Sequence, residues 1–266
     1  MASNRTTGVL RIVGLALLLL FAGGAAGPVV ARSAADGDAA AAGRVKSGTG
    51  FSVSRDGFVV TSAHVVEGCR DVSVLEPDGT ARPGYVIAAD RRLDLALLWA
   101  EGRVSQYSAA ATGERTQAGA EVFTLGFGVI ATEPLRPVLI KGSLVGDRTA
   151  RPGNRILVIR AKLHAGNSGG AVLTGNGSLV GMIVGREEGH PELGVAIPLA
   201  DVEGLLYAYG IALPKRGPEK NPRAFLGAIS VLIQCTASSK PPARTPAGTP
   251  PRIRPNTPAV RGPVDR

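Results

Sequence analysis

The sequence predicts an all-β chain built as two small barrels packed together, with one short helix near the end of the ordered body. Three observations predict it. The middle of the chain is dense in Val, Ile and Leu, which occur in short runs bounded by turn residues, and 36 of the 266 residues are Gly; that combination favours many short strands joined by tight turns. No helical pattern falls between successive strands, so the βαβ rhythm of a parallel sheet is missing. The one convincing helical pattern comes only after the last strand.

Taken in order, residues 51–54 alternate, Arg55-Asp-Gly57 makes a turn, and residues 58–61 return as the second arm of a hairpin. Residues 72–75 form the next strand, closed by a turn at Pro77-Asp-Gly-Thr80. Further strands are expected at 85–87, 95–99, 122–125, 140–145, 156–159, 171–173, 179–184 and 195–197. Pro198 then stands at or just before a helix start, with Asp201 and Glu203 near the positive end of the helix dipole. Val202, Leu205, Leu206 and Tyr209 share one face of it, and Gly210 is a stop signal.

The flanks read differently. Arg5 and Arg11 precede an uncharged stretch over 12–30 whose centre is strongly apolar, and Val29-Val-Ala31 fits the small-residue rule for cleavage. Residues 1–31 are therefore expected to be a secretory signal peptide, with an uncleaved membrane anchor as the competing reading. Residues 32–46 are a linker, 47–212 the ordered body, and 213–235 a second linker. Residues 236–266 form a tail with eight prolines after position 240, expected to be disordered. Of the net charge of +9, residues 211–266 carry +8. The basicity thus belongs to the tail, which reads as solvated or as a contact for an anionic surface, and no nucleic-acid partner is expected. Cys69 and Cys235 are too few for a disulfide framework or a zinc site. They could pair in an oxidising compartment or stay free; the sequence leaves this open, with a lean towards free thiols. No metal cluster and no cofactor motif is present.

Three motifs carry chemistry. In Gly166-Asn-Ser-Gly-Gly170, flanking glycines allow a sharp turn that aims the amides of Gly166 and Ser168 at one spot, where an oxyanion could form. A serine hydroxyl also needs a base, and His64, in Thr61-Ser-Ala-His-Val-Val66 at the end of an apolar strand, suits that role. Asp94 begins the apolar run 95–98; a carboxylate in such a setting needs a partner, and an imidazole N–H would serve, fixing the tautomer and stabilising the imidazolium. Each motif alone has a plain structural explanation: a Gly-rich turn, a hydrogen-bonded histidine, a strand-start aspartate. Together they stand in the order His, Asp, Ser, spaced by 30 and 74 residues. That order is neither that of subtilisin nor that of the α/β-hydrolases, and the spacing puts the first two on one barrel and the serine on the other.

Over roughly 47–200 the chain resembles the HtrA (DegP-like) branch of the trypsin-like serine proteases. The resemblance rests on Gly48-Thr-Gly-Phe51, the stretch 56–68 around His64, Asp94-Leu-Ala-Leu-Leu98, Gly166-Asn-Ser-Gly-Gly170, residues 181–184 and Gly194-Val-Ala-Ile-Pro198. It implies two six-stranded chymotrypsin-like β-barrels with His64, Asp94 and Ser168 as catalytic triad at their junction. It also implies an oxyanion hole from Gly166, Asn167 and Ser168, with Asn167 shaping the loop. Gly194, Val195, Ala196 and Ile197 would run beside the substrate, His164 would border it, and Leu163 with Ala196 would line an apolar primary pocket.

The implied activity is endoproteolysis of protein or peptide substrates, such as misfolded envelope or secreted proteins, by an exported, periplasmic or membrane-anchored enzyme. A homotrimer is common among relatives. Two departures stand out. Lys162-Leu-His-Ala165 replaces the small neutral stretch usual before the serine motif, and too little sequence follows the body for a complete PDZ domain. Residues 223–232 resemble the first strand of such a domain; an apolar segment packing on the protease is the alternative. These departures leave a second functional reading in place, a catalytically weak or inactive binding or chaperone module on the same fold. An esterase is disfavoured by the triad order and the absence of a Gly-x-Ser-x-Gly elbow.

Overall fold

The computed structural model describes residues 45–104, 106–107, 110–111, 116–127, 137–151, 154–216, 219 and 221–237. The chain divides into two compact units, Met1–Ala42 and Gly43–Arg266. The first unit, with the expected signal or anchor segment, lies outside the described residues, as does the Pro-rich stretch after 237. Among the described residues no helix is long and apolar enough to cross a membrane.

The elements run β1 (Val45–Ser52), β2 (Phe58–Thr61), α1 (Ala63–Val66), β3 (Cys69–Leu75), β4 (Ala81–Asp90), β5 (Leu95–Ala100), β6 (Ala110–Ala111) and β7 (Glu121–Gly126). They continue with β8 (Val138–Arg151), β9 (Asn154–Arg160), β10 (Ala171–Thr174), β11 (Leu179–Glu187), β12 (His190–Pro198), α2 (Leu199–Ala208), β13 (Lys215–Arg216), α3 (Pro222–Ile229) and β14 (Ser230–Ala237). One closed barrel has the order β1-β14-β3-β4-β5-β2. The second sheet runs β10-β7-β8-β9-β12-β11, and a further β10–β11 pairing closes these six strands on themselves, leaving β6 and β13 attached to the outside of β11. The expected all-β fold of two six-stranded barrels with a late helix is borne out.

Side chains alternate across each strand, so a strand between two cores is apolar on both faces. β5 is the clearest case, buried at all six positions. Ala96, Leu98 and Ala100 join Val59, Val74, Val231 and Ile233 inside the first barrel, while Leu95, Leu97 and Trp99 face Phe123, Leu125 and Leu173 from the second barrel. Val122, Ile140, Leu144, Ile159, Val172 and Ile183 fill the second barrel. Three cores therefore stack in series, and the middle one locks the barrels together. It also takes in Val202 and Leu206 of α2, with Leu205 and Tyr209, the other two residues expected on that face, packed against it partly buried.

The segment expected as a linker over 213–235 is corrected by the structure. Asn221 caps α3 by accepting a hydrogen bond from the Ala224 N–H at 3.1 Å, and Pro222 occupies the first turn. Phe225, Leu226 and Ile229 enter the middle core. β14 then inserts between β1 and β3, antiparallel to both, as an integral stave of the first barrel. Of the residues likened to a PDZ strand, 223–229 thus belong to α3 and only 230–232 to the barrel, and β14 carries the fold two residues into the expected tail. The cysteines are paired: Cys69 and Cys235 form a disulfide with Cα atoms 5.3 Å apart, tying β3 to β14.

Candidate active site

His64 sits on α1, the single turn that follows β2. Asp94 ends the turn between β4 and β5, where the Asp90 carboxylate accepts hydrogen bonds from the N–H groups of Arg92 and Leu93. Asp94 has φ +55°, the one positive value at a non-glycine residue among those described. That conformation is costly for a side chain other than Gly and persists where its surroundings fix it. Here they do: the Asp94 carbonyl accepts from the Ala63 N–H at 3.1 Å, and Oδ1 accepts from the His64 N–H at 2.9 Å. Oδ2 lies 2.7 Å from His64 Nδ1. A carboxylate only accepts, so in the neutral imidazole the proton sits on Nδ1 and Nε2 is the acceptor. The hydrogen bond to Asp94 is the main cause raising the His64 pKa above 6.5; partial burial opposes it, and the charge of Asp94 adds to it. The pair is open to solvent on one side, with side-chain exposures of 50% for His64 and 28% for Asp94.

Ser168 belongs to the second barrel, in the loop before β10. Each peptide of that loop can be followed. Asn167 donates its N–H to the His164 carbonyl at 3.2 Å, and its carbonyl accepts from Gly170 at 3.0 Å. Its side chain, 3% exposed, accepts from the His164 N–H at 2.6 Å. Gly169 donates to the Ile183 carbonyl at 2.7 Å. Among the described residues, the N–H groups of Gly166 and Ser168 donate to nothing. Gly166 holds φ +96°, a region open to glycine at little cost. Two amides of the expected oxyanion set are therefore uncommitted, while the third, at Asn167, is spent on shaping the loop. The Ser168 hydroxyl donates to the Val184 carbonyl at 3.3 Å and not to His64.

The residues expected beside the substrate divide. His164 is exposed next to the loop, whereas Leu163 is 2% exposed and packs with Ala196 inside the second barrel. A Cβ on Gly194 would come within 2.5 Å of Leu163 Cδ1, so Leu163 packs directly over Gly194. Gly194, Val195 and Ala196 pair with β11 on one side and β9 on the other. Both of their backbone edges are thus used within the sheet. Among the described residues, an edge without a strand partner belongs to β11: its pairing with β10 ends at Met182, beyond which Gly170 bonds Ile183 and Val184 faces Ser168. Sequence reasoning missed this, since which edge stays open depends on where β10 begins. Among the described residues no group of side chains could hold a metal ion.

A model of the trypsin-like peptidase domain matches residues 48–182. The uncharacterized protein y4bJ of Sinorhizobium fredii is 30% identical over 213 residues, covering 71% of this chain and 32% of its own. A protein of Chlamydia pneumoniae named "Probable periplasmic serine endoprotease DegP-like" is 31% identical over 156 residues, 57% of this chain and 32% of its own. The chain thus spans about a third of the length of these curated relatives. Among solved structures, a serine-to-alanine mutant of Rv3671c from M. tuberculosis in its inactive form is 25% identical with a TM-score of 0.53, covering 62% of this chain and 85% of its own.

Proposed function

The chain belongs to the trypsin-like peptidase family, with HtrA/DegP-like relatives, and on that footing we propose that it is a serine endopeptidase acting through an acyl-enzyme. Ser168 is the nucleophile, His64 the general base and then acid, and Asp94 the group that orients and charges-balances His64. For attack the Ser168 hydroxyl exchanges its hydrogen bond to the Val184 carbonyl for one to His64 Nε2. The Gly166 and Ser168 N–H groups receive the oxyanion, and the open edge of β11 at Val184 holds the substrate as an added strand. The observation that supports this reading most is the two-point grip of Asp94 on His64, which in the neutral imidazole turns Nε2 into the acceptor.

The substrates are unfolded or misfolded proteins outside the cytoplasm. A disulfide joining strands of the first barrel suits an oxidising compartment, and a relative is named as periplasmic. The N-terminal apolar segment supplies export or anchoring, and association as a homotrimer is a further expectation.

The test is Ser168→Ala together with fluorophosphonate labelling of the purified protein. Activity on unfolded casein should fall by a factor on the order of a million, and only the unsubstituted serine should label. A folded wild-type protein that neither labels nor cleaves casein would instead support the binding-module reading, which the resting Ser168–Val184 hydrogen bond favours.

A further inference from the structure

Thr49, in the middle of β1, lies on the first barrel, yet it touches the serine loop of the second. It is fully buried. Its hydroxyl donates to the Gly166 carbonyl at 2.6 Å and accepts from the Phe127 N–H at 3.1 Å. Its backbone N–H donates to the Ser168 carbonyl at 2.9 Å. Its carbonyl accepts from the Thr61 hydroxyl at 2.6 Å. Every polar group of this residue is therefore used, two of them on the loop that carries Ser168.

A trans peptide points its C=O and N–H in opposite directions. Holding the Gly166 carbonyl on Thr49 thus holds the Asn167 N–H on His164, and holding the Ser168 carbonyl on Thr49 holds the Gly169 N–H on Ile183. The peptide between these two has its carbonyl on Gly170, so its Ser168 N–H must face the opposite side. The direction of an amide that no protein group uses is in this way fixed from the neighbouring barrel. We propose that Thr49 is a positioning residue for the reaction, its hydroxyl setting the Gly166–Asn167 peptide so that the Gly166 and Ser168 amides converge on the substrate oxyanion. A valine has the same shape but neither donor nor acceptor; it would strand the Gly166 carbonyl and the Phe127 N–H in a buried place and free the loop to turn. The inference rests on the protease reading above and adds to it a residue outside the triad and the oxyanion loop.

The test compares Thr49→Val, Thr49→Ala and Thr49→Ser with wild type. Near-UV circular dichroism, which reads the buried Trp99, checks the fold. The rate of labelling by a small fluorophosphonate reports the nucleophile and the oxyanion site with little demand on substrate recognition, and casein cleavage gives kcat and KM. Thr49→Val and Thr49→Ala should label about 10- to 100-fold more slowly, short of or near the loss of a whole oxyanion donor. The loss should fall in kcat and not in KM, the acid limb of the pH profile should stay where it is, and Thr49→Ser should recover most of the rate. If Thr49→Val does not fold, Thr49→Ala and Thr49→Ser decide alone. Equal labelling of all folded variants overturns the inference while leaving the protease reading intact, as does a loss confined to KM or a Thr49→Ser variant as slow as Thr49→Ala. A folded wild type that does not label overturns both.

Discussion

Replacing both Cys69 and Cys235 with alanine removes a crosslink that closes a very long loop. The bonded residues are 166 positions apart. In the chain-entropy account, closing a loop of that length restricts the unfolded chain by about 5 kcal/mol at 25 °C, a large share of the roughly 5–15 kcal/mol that holds a typical domain together. Alanine is the right substitute because Cys235 is fully buried and a serine would add an unsatisfied hydroxyl. Measured effects of disulfide removal run from about 2 to 5 kcal/mol. With a urea slope of about 2–3 kcal/mol per molar, the midpoint of unfolding should fall by about 1–2 M. The assay is equilibrium urea unfolding followed by Trp99 fluorescence, on the double variant and on wild type with and without reductant. Reduced wild type should unfold close to the double variant. A midpoint shift below about 0.3 M in both would refute the reasoning, because it would mean that the unfolded chain gains almost nothing from release of the loop.

Asp94→Asn removes the main cause that raises the His64 pKa and presents an amide where a pure acceptor is needed. kcat should fall by about four orders of magnitude, measured on casein at pH 8. In wild type the acid limb of activity should have its midpoint above 6.5, since His64 must be neutral to act as base, and the residual activity of the variant should have its limb at lower pH. Stability follows the opposite sense. A raised histidine pKa stabilises the folded state fully below the unfolded value near 6.5 and is lost as pH rises through the folded value. The Tm advantage of wild type over Asp94→Asn should therefore shrink between pH 6 and pH 9. Gly126→Ala would set a Cβ within 1.8 Å of Asn167 Nδ2. Displacing that buried amide should cost about 1–3 kcal/mol of stability and lower kcat at least about tenfold; a variant with wild-type kcat and Tm would show that the Asn167 cap on His164 is dispensable.

The parts of this molecule legible in its sequence are those whose signal is local. β5 reads as a strand because burial on both faces leaves an unbroken apolar run, and Asp94 stands out as the one carboxylate at its start. The serine motif shows through its glycines. The parts that escape depend on distant partners. Thr49 reads only as a good strand former, since the partners of its hydroxyl are 78 and 117 residues away. The open edge at Val184 exists because β10 starts where it does. Leu163 fills the space above Gly194 only once β9 and β12 lie side by side. The apolar residues from Phe225 to Ile233 merge helix and strand into one run, and the use of that run is decided by β1, to which β14 binds at the far end of the chain.

β14 has a consequence for how the protein is made. The barrel that bears His64 and Asp94 contains its first stave near residue 45 and its last near residue 237. A chain emerging from a ribosome or a translocation pore, N-terminus first, has both residues in hand long before that barrel can close. The serine loop, too, is anchored on β1, whose outer edge stays bare until β14 arrives. Closure of the barrel around His64 and Asp94, and with it a settled β1 for the serine loop to rest on, therefore waits for nearly the whole body of the chain.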